Sequence, residues 1–490
     1  MTVNEANQYI QKNRNKVNNM FRHNYHVMAP VGWINDPNGF CIYNNEYHLF
    51  YQFYPYDSEW GPVHWGHVKS KDLVKWEELP VALAPDQEYD AGGCFSGSAI
   101  QIGSELYLMY TGNIEPDKND QEKKRQVQCL AKSADGIRFE KIGNNPVISC
   151  DEIPVNTRVQ DFRDPKIWKF GDKFYAVIGS RTKDDKGQIL FYTSEDLIKW
   201  KNINSLSIDD FGLVWECPDV FSLEERDVLI LSSQYIPEEK SGSQNIYACI
   251  AMMGKFNYET CDFKPDKYQL LDCGFDFYAP QTLKTADGRR ILIAWMDMWQ
   301  RKSPLHELGH NWRGAMTLPR ELIMKNDRLY QLPVREIRNY RKNDEVIYGL
   351  EVFDEFQLKH IKLKSHEFYI ELDDMEGKVL NIDLFRCDDE AFRLIIDGIK
   401  HEIILDRGRI GYLIESLNRP GDYIRRQPVT SLRDGIRLNI FVDVSSIEIF
   451  INDGEYVMTS LVYPKKEGYI SFRVDRPVIL KEFKKWDICL

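Results

Sequence analysis

The chain has 490 residues and no long apolar run. Stretches such as Ile291–Met296 are only strand-length, far short of the roughly 18 apolar residues a membrane span needs. Met1 to Tyr25 likewise holds no apolar segment that could serve as a signal-peptide core, so a cytoplasmic protein without membrane contact is expected. The ten cysteines never form a Cys-x-x-Cys pair, and their scatter suits reduced thiols better than a disulfide framework or a zinc site. Positive charge is in deficit: 63 Lys+Arg stand against 75 Asp+Glu, a net charge of -12. Neutralising a phosphate backbone needs clustered cations, so nucleic acid is not an expected partner. No Gly-x-Gly-x-x-Gly follows a strand, and neither a P-loop nor a Gly-x-Ser-x-Gly elbow occurs. No cofactor is expected.

Aromatic residues are plentiful, at 13% of the chain. Flat rings suit both sheet surfaces and the apolar faces of sugars. Five segments share a texture in which a charged or polar start leads into a β-branched or aromatic run: Glu46–Tyr51, Glu105–Tyr110, Lys173–Ile178, Asp227–Ser232 and Arg290–Trp295. They recur about every 60 residues, with frequent turn residues between them and no sustained helical period. An all-β fold follows, a five-bladed β-propeller over 28–333 behind an N-terminal segment, 1–27. A large sandwich with accidental spacing is the competing reading. After Pro333 the charged stretch 334–355 reads as a linker. Short alternating strands over 356–490 then suggest a C-terminal β-sandwich, whose alternating carboxylates read as solvated sheet faces.

Ten to fifteen residues before each repeat strand stand Trp33-Ile-Asn-Asp-Pro37, Cys94-Phe-Ser-Gly97, Phe162-Arg-Asp-Pro165, Trp215-Glu-Cys-Pro218 and Phe277-Tyr-Ala-Pro280. Their common phase would put Asp36, Asp164 and Glu216 on innermost strands facing one axis. Converging carboxylates are what glycosidic cleavage requires, since one must donate a proton and another must attack or stabilise the sugar cation. Arg163 beside Asp164 argues for an ionised Asp164, and the donors around Asp36 argue the same there. Glu216, between Trp215 and Cys217, has an apolar setting suited to a proton donor. His64/His67 and His23/His26 are the close histidine pairs, but no further zinc ligands are evident at suitable spacing, so no metal is expected.

The first four of these motifs, with Phe50-Tyr-Gln-Phe53, His64-Trp-Gly-His67 and Trp312-Arg-Gly-Ala-Met-Thr-Leu-Pro-Arg-Glu-Leu322, run in an order that resembles the β-fructofuranosidases of glycoside hydrolase family 32. Asp443-Val-Ser-Ser-Ile-Glu-Ile-Phe450 and Asn452-Asp-Gly454 extend the resemblance into the C-terminal region. It implies a propeller followed by a sandwich, and hydrolysis with retention at C2 of a terminal fructosyl unit. Asp36 would be the nucleophile, Glu216 the acid/base and Asp164 the transition-state stabiliser, with about 5–5.5 Å between the carboxyls of the reacting pair. Asn35, Gln52, Trp60, Ser96, Arg163 and Trp295 would surround the fructose, and Trp33, Phe95 and Tyr278 would form aromatic walls. The implied substrates are sucrose, sucrose-6-phosphate or short fructo-oligosaccharides. Fructan exo-hydrolysis, fructosyl transfer and lectin-like binding stand as alternatives. Arg181, Lys183 and Arg313 are basic residues near these motifs, and a homodimer through the sandwich is an open expectation.

Overall fold

The computed structural model describes residues 1–117 and 119–490, and strands dominate it. Among these residues no helix is long and apolar enough to cross a membrane. All ten cysteines are unpaired.

Up to Pro333 the main strands fall into five antiparallel sets of four. Their leading strands are Gly32–Tyr43, Cys94–Ile102, Thr157–Phe170, Val214–Leu223 and Tyr278–Lys284. Short turns join the first two strands of each set. Asn44 and Asn45 both take positive φ between the first two strands, as a two-residue hairpin turn demands, and asparagine accepts that region cheaply. A single pair, Ser180 with Trp215, links the third and fourth sets into one eight-stranded sheet. The leading strands touch in ring order, first to second through to fifth, and the fifth returns to the first. Trp312–Arg313 lies parallel to Gly32 and Trp33 and ties the end of this region to its start.

Each leading strand carries a bulge at the same place. Asn35 and Asp36 together oppose one partner residue, Ser96 is unpaired, and the pairs Asp164–Pro165, Cys217–Pro218 and Ala279–Pro280 each add one residue to the ladder. A bulge bends its strand and re-aims a side chain. Proline is tolerated there because the extra residue makes no ladder bond. Asp164, Cys217 and Ala279 all take positive φ, a mild backbone strain held by the surrounding sheet.

The C-terminal region is two six-stranded sheets facing each other across an apolar core that includes Phe368, Ile382, Leu394, Ile440 and Phe472. The seven strands expected from alternation are present, and five more join them. One of the five corrects the expected linker: within 334–355, Arg341–Val352 is a strand paired along the last strand, Val478–Ile488. Arg341, Lys342, Asp344 and Glu345 crowd its start, and Val346 and Tyr348 lie exposed as on a solvated edge strand, so composition alone read it as a connector.

The expectation that the sandwich carboxylates are solvated also fails. Ser446–Ile451 is buried on both faces. Ile447, Ile449 and Ile451 face the sandwich core, while Phe450 joins an apolar cluster with Ile291, Ile293 and Leu318 of the first region. Glu448, on that second face, is wholly buried and receives Arg320 at 2.7 Å. Arg320 also reaches Asp272 at 3.1 Å. His26 bridges Asp443 at 2.8 Å and Glu448 at 3.0 Å. Residues 1–27 add a helix, Val3–Asn13, closed by a capping box between Thr2 and Glu5 and seated by buried Ala6 and Ile10.

Candidate active site

The five bulges turn the predicted residues toward one another. Asp36 is fixed through both carboxylate oxygens: Asn35 Nδ2 donates to Oδ1 at 3.0 Å and Ser96 Oγ donates to Oδ2 at 2.7 Å. Asn35 is itself held by the Trp33 indole N–H at 2.7 Å. Cys217 Sγ lies 3.6 Å from Asp36 Oδ2 and 3.6 Å from Asp164 Oδ2, so a single thiol touches both carboxylates. The Cys217 backbone N–H donates to Asp164 Oδ2 at 3.1 Å, and the Asp164 N–H donates to Thr111 Oγ1 at 2.9 Å. Glu216 accepts from Arg163 Nε at 3.1 Å on one oxygen and from the Tyr278 hydroxyl at 2.7 Å on the other. Three carboxylates from three strand sets thus meet around one arginine and one thiol.

Burial decides the electrostatics. It pushes Asp36 above the usual carboxylate range despite the donors at Ser96 and Asn35. Asp164 is raised to about 7, first by burial and then by the charges of Glu216 and Asp36, with Arg163 opposing. Burial therefore opposes the ionisation that the sequence neighbours of both aspartates suggested. Arg163 spends its guanidinium on Glu216, Asp161 and Gln126.

Around this centre Trp60 stands at the rim, 43% exposed, edge-on to Phe95 with ring centroids 6.0 Å apart. Gln52 lies beneath the site and donates to the Cys94 carbonyl at 2.9 Å. Trp295 differs from expectation: it is fully buried, packed against Trp33 and Trp299, and offers no face to a ligand. Its strand turns it behind Trp33, where it backs the wall. Trp299, Thr111, Gln126, Cys217 and Lys124 belong to the site and were not singled out from sequence. Cys217 sits inside a motif that was, so its strand position was the available signal.

His64 and His67 are structural: His67 is sandwiched between Phe50, at 3.9 Å, and His48, whose Nδ1 it meets at 2.9 Å. His23 and His26, however, do acquire a partner that spacing hid. Asp443 joins them in a buried group whose ligand atoms lie within 4.8 Å of one another, at the boundary between the two regions. His26 there is already held by two carboxylates.

Residues 26–333 match the glycosyl hydrolases family 32 N-terminal domain, and residues 336–487 match the family 32 C-terminal domain. A sucrose-6-phosphate hydrolase of Zymomonas mobilis subsp. mobilis is 38% identical over 95% of this chain and 91% of its own length. Among solved structures, a family 32 beta-fructofuranosidase of Bombyx mori superposes with a TM-score of 0.85 at 34% identity, covering 99% of this chain and 97% of its own. The sucrose-6-phosphate hydrolase of Lactobacillus gasseri gives 0.87 at 28% identity, covering 100% and 99%. The chain belongs to glycosyl hydrolase family 32 and is a glycoside hydrolase.

Proposed function

We propose that the protein is a retaining β-fructofuranosidase that splits sucrose or sucrose-6-phosphate, built on a five-bladed propeller whose blades are the five strand sets. The convergence of Asp36, Asp164 and Glu216 on the Cys217 thiol and Arg163 carries this reading. The closed ring of leading strands and the family membership support the propeller. The relatives named as sucrose-6-phosphate hydrolases support the substrate class.

In the first step an Asp36 oxygen attacks C2 of the fructosyl unit while the Glu216 carboxyl gives its proton to the departing glucosyl oxygen. The C2–O bond to glucose breaks and a fructosyl ester on Asp36 forms. Glu216, now a carboxylate, takes a proton from water, whose oxygen attacks C2; the bond from C2 to Asp36 breaks, Asp36 leaves as a carboxylate, and fructose departs with its configuration retained. Arg163 and Tyr278 hold Glu216 in place through both turnovers of its proton. Ser96, Asn35 and Cys217 fix Asp36 for attack. Asp164, which titrates near neutrality, is placed to exchange hydrogen bonds with fructose hydroxyls as charge develops at C2.

Asp36→Asn tests the assignment. It should lower kcat on sucrose and on sucrose-6-phosphate by at least about 10³-fold while the thermal transition stays within a few degrees of wild type. Turnover near the wild-type rate would reject Asp36 as nucleophile. Equal release of glucose and fructose distinguishes hydrolysis from fructosyl transfer.

A further inference from the structure

Of the basic residues around the cleft, most are committed to acids. Arg313 is buried, pairs with Asp297 at 2.9 Å and lies over the Trp33 ring. Arg181 pairs with Asp185 at 2.7 Å and approaches Asp161. Lys124 is different. Among the described residues its ammonium makes no hydrogen bond and no ion pair, and it lies over the face of Phe95, 5.6 Å from the ring centroid.

The position of Lys124 follows from the strand it precedes. Arg125–Ser133 begins one residue later, and Gln126, two residues on, lies on the same side of the chain as Lys124. Gln126 accepts from Arg163, which in turn holds Glu216. Lys124 therefore stands one strand step outward from the Glu216–Arg163 pair, along the wall made by Phe95 and rim Trp60. Burial and the Arg163 charge together draw its pKa down, and Asp161, Glu115 and Glu216 are the acids that act on it. This is the Glu216 side of the cleft, where the departing sugar must lie if Glu216 protonates its oxygen.

We propose that Lys124 is the anion-recognising end of the leaving-group subsite and takes the phosphoryl group on O6 of the glucosyl unit. The inference rests on the β-fructofuranosidase reading above. A phosphoryl group brings nearly two negative charges and three strong acceptors, and a lysine ammonium meets it as a point charge. Stacked on Phe95 and poor in water, this ammonium gains more from an arriving anion than a solvated lysine would. A chain of net charge -12 offers the phosphosugar no long-range attraction, so the contact has to be local.

The test compares kcat/KM for sucrose and sucrose-6-phosphate in the full-length wild type, Lys124→Met and Lys124→Arg. Wild type should prefer the phosphorylated sugar. Lys124→Met should lose at least about tenfold more on sucrose-6-phosphate than on sucrose, chiefly through KM, and Lys124→Arg should recover most of that difference. Inhibition by glucose-6-phosphate should weaken in the same order. Equal losses on both sugars, or none on either, would overturn the assignment to Lys124 while leaving the fructosidase reading intact. A wild type that releases fructose from neither sugar would instead remove the reading on which the proposal rests. Should Lys124→Met fail to fold, Lys124→Gln and Lys124→Arg carry the same comparison.

Discussion

Asp164 combines a left-handed backbone with a buried carboxyl whose neighbours are two further acids. A sheet optimised for stability would hold neither. Its folded pKa, about 7, lies above the ordinary value of 3.8, so the folded protein binds the extra proton between those limits. Stability is then lost as pH rises from about 4 to 7, and above that the full cost of ionising Asp164 is borne. Asp164→Asn should consequently be more stable than wild type at pH 8, by about 1–3 kcal/mol, with the gap closing toward pH 4. Denaturant titrations at the two pH values check this, and an equal or lower stability at pH 8 would contradict it. Activity should fall at least about 100-fold in the same variant. Sequence showed Arg163 beside Asp164 and suggested a pair. Adjacent strand residues point to opposite sides, and the guanidinium goes to Glu216 instead.

At the scale of elements, the bulges explain why the motifs were legible at all. Pro37, Pro165, Pro218 and Pro280 lie in or beside the added residue of a leading strand, and a proline within a strand-like run marks an irregular ladder. Phase and chemistry could therefore be read from one line of text. Arg341–Val352 could not, because its clustered charges match those of a connector until the partner strand is known. Behind Glu216, Gly179 faces both the Arg163 strand and the Glu216 strand. A Cβ there would meet the Trp215 carbonyl oxygen at 2.4 Å and the Arg163 carbonyl oxygen at 3.2 Å. Gly179→Ala should force the two strands apart, with kcat reduced about tenfold or more and a stability loss of about 1–3 kcal/mol. Kinetics alongside thermal melting measure both; full activity would show that the strands can yield without moving Glu216.

Across the whole molecule, the contact between the propeller-like region and the sandwich is held by buried charge as well as by apolar packing. Burial alone would lower His26, but hydrogen bonds and charges from Asp443 and Glu448 prevail and raise it to about 9, while His23 beside it is driven down to about 3 by burial. Arg320 is the other cation facing Glu448. The contribution of His26 is complete below its unfolded value of about 6.5 and fades as pH climbs through about 9. Asp443 and Glu448, both lowered, contribute above their ordinary values and lose that contribution as pH falls through the depressed ones. The melting temperature should therefore decline between pH 7 and 10, and His26→Gln should be less stable at pH 7 by about 3 kcal/mol with a flatter decline. An unchanged slope in the variant would remove His26 as its source. None of this network was visible in sequence, where Glu448 in an alternating strand looks solvated until another domain covers it.

The doubly buried strand Ser446–Ile451 has a consequence for descent. Its inner isoleucines answer to one core and Phe450 and Glu448 to another, so few substitutions in it are neutral to both. Loss of Arg320 or His26 from the first region would leave Glu448 or Asp443 of the second as a buried charge short of a partner. At these positions a change in one region has to be matched by a change in the other.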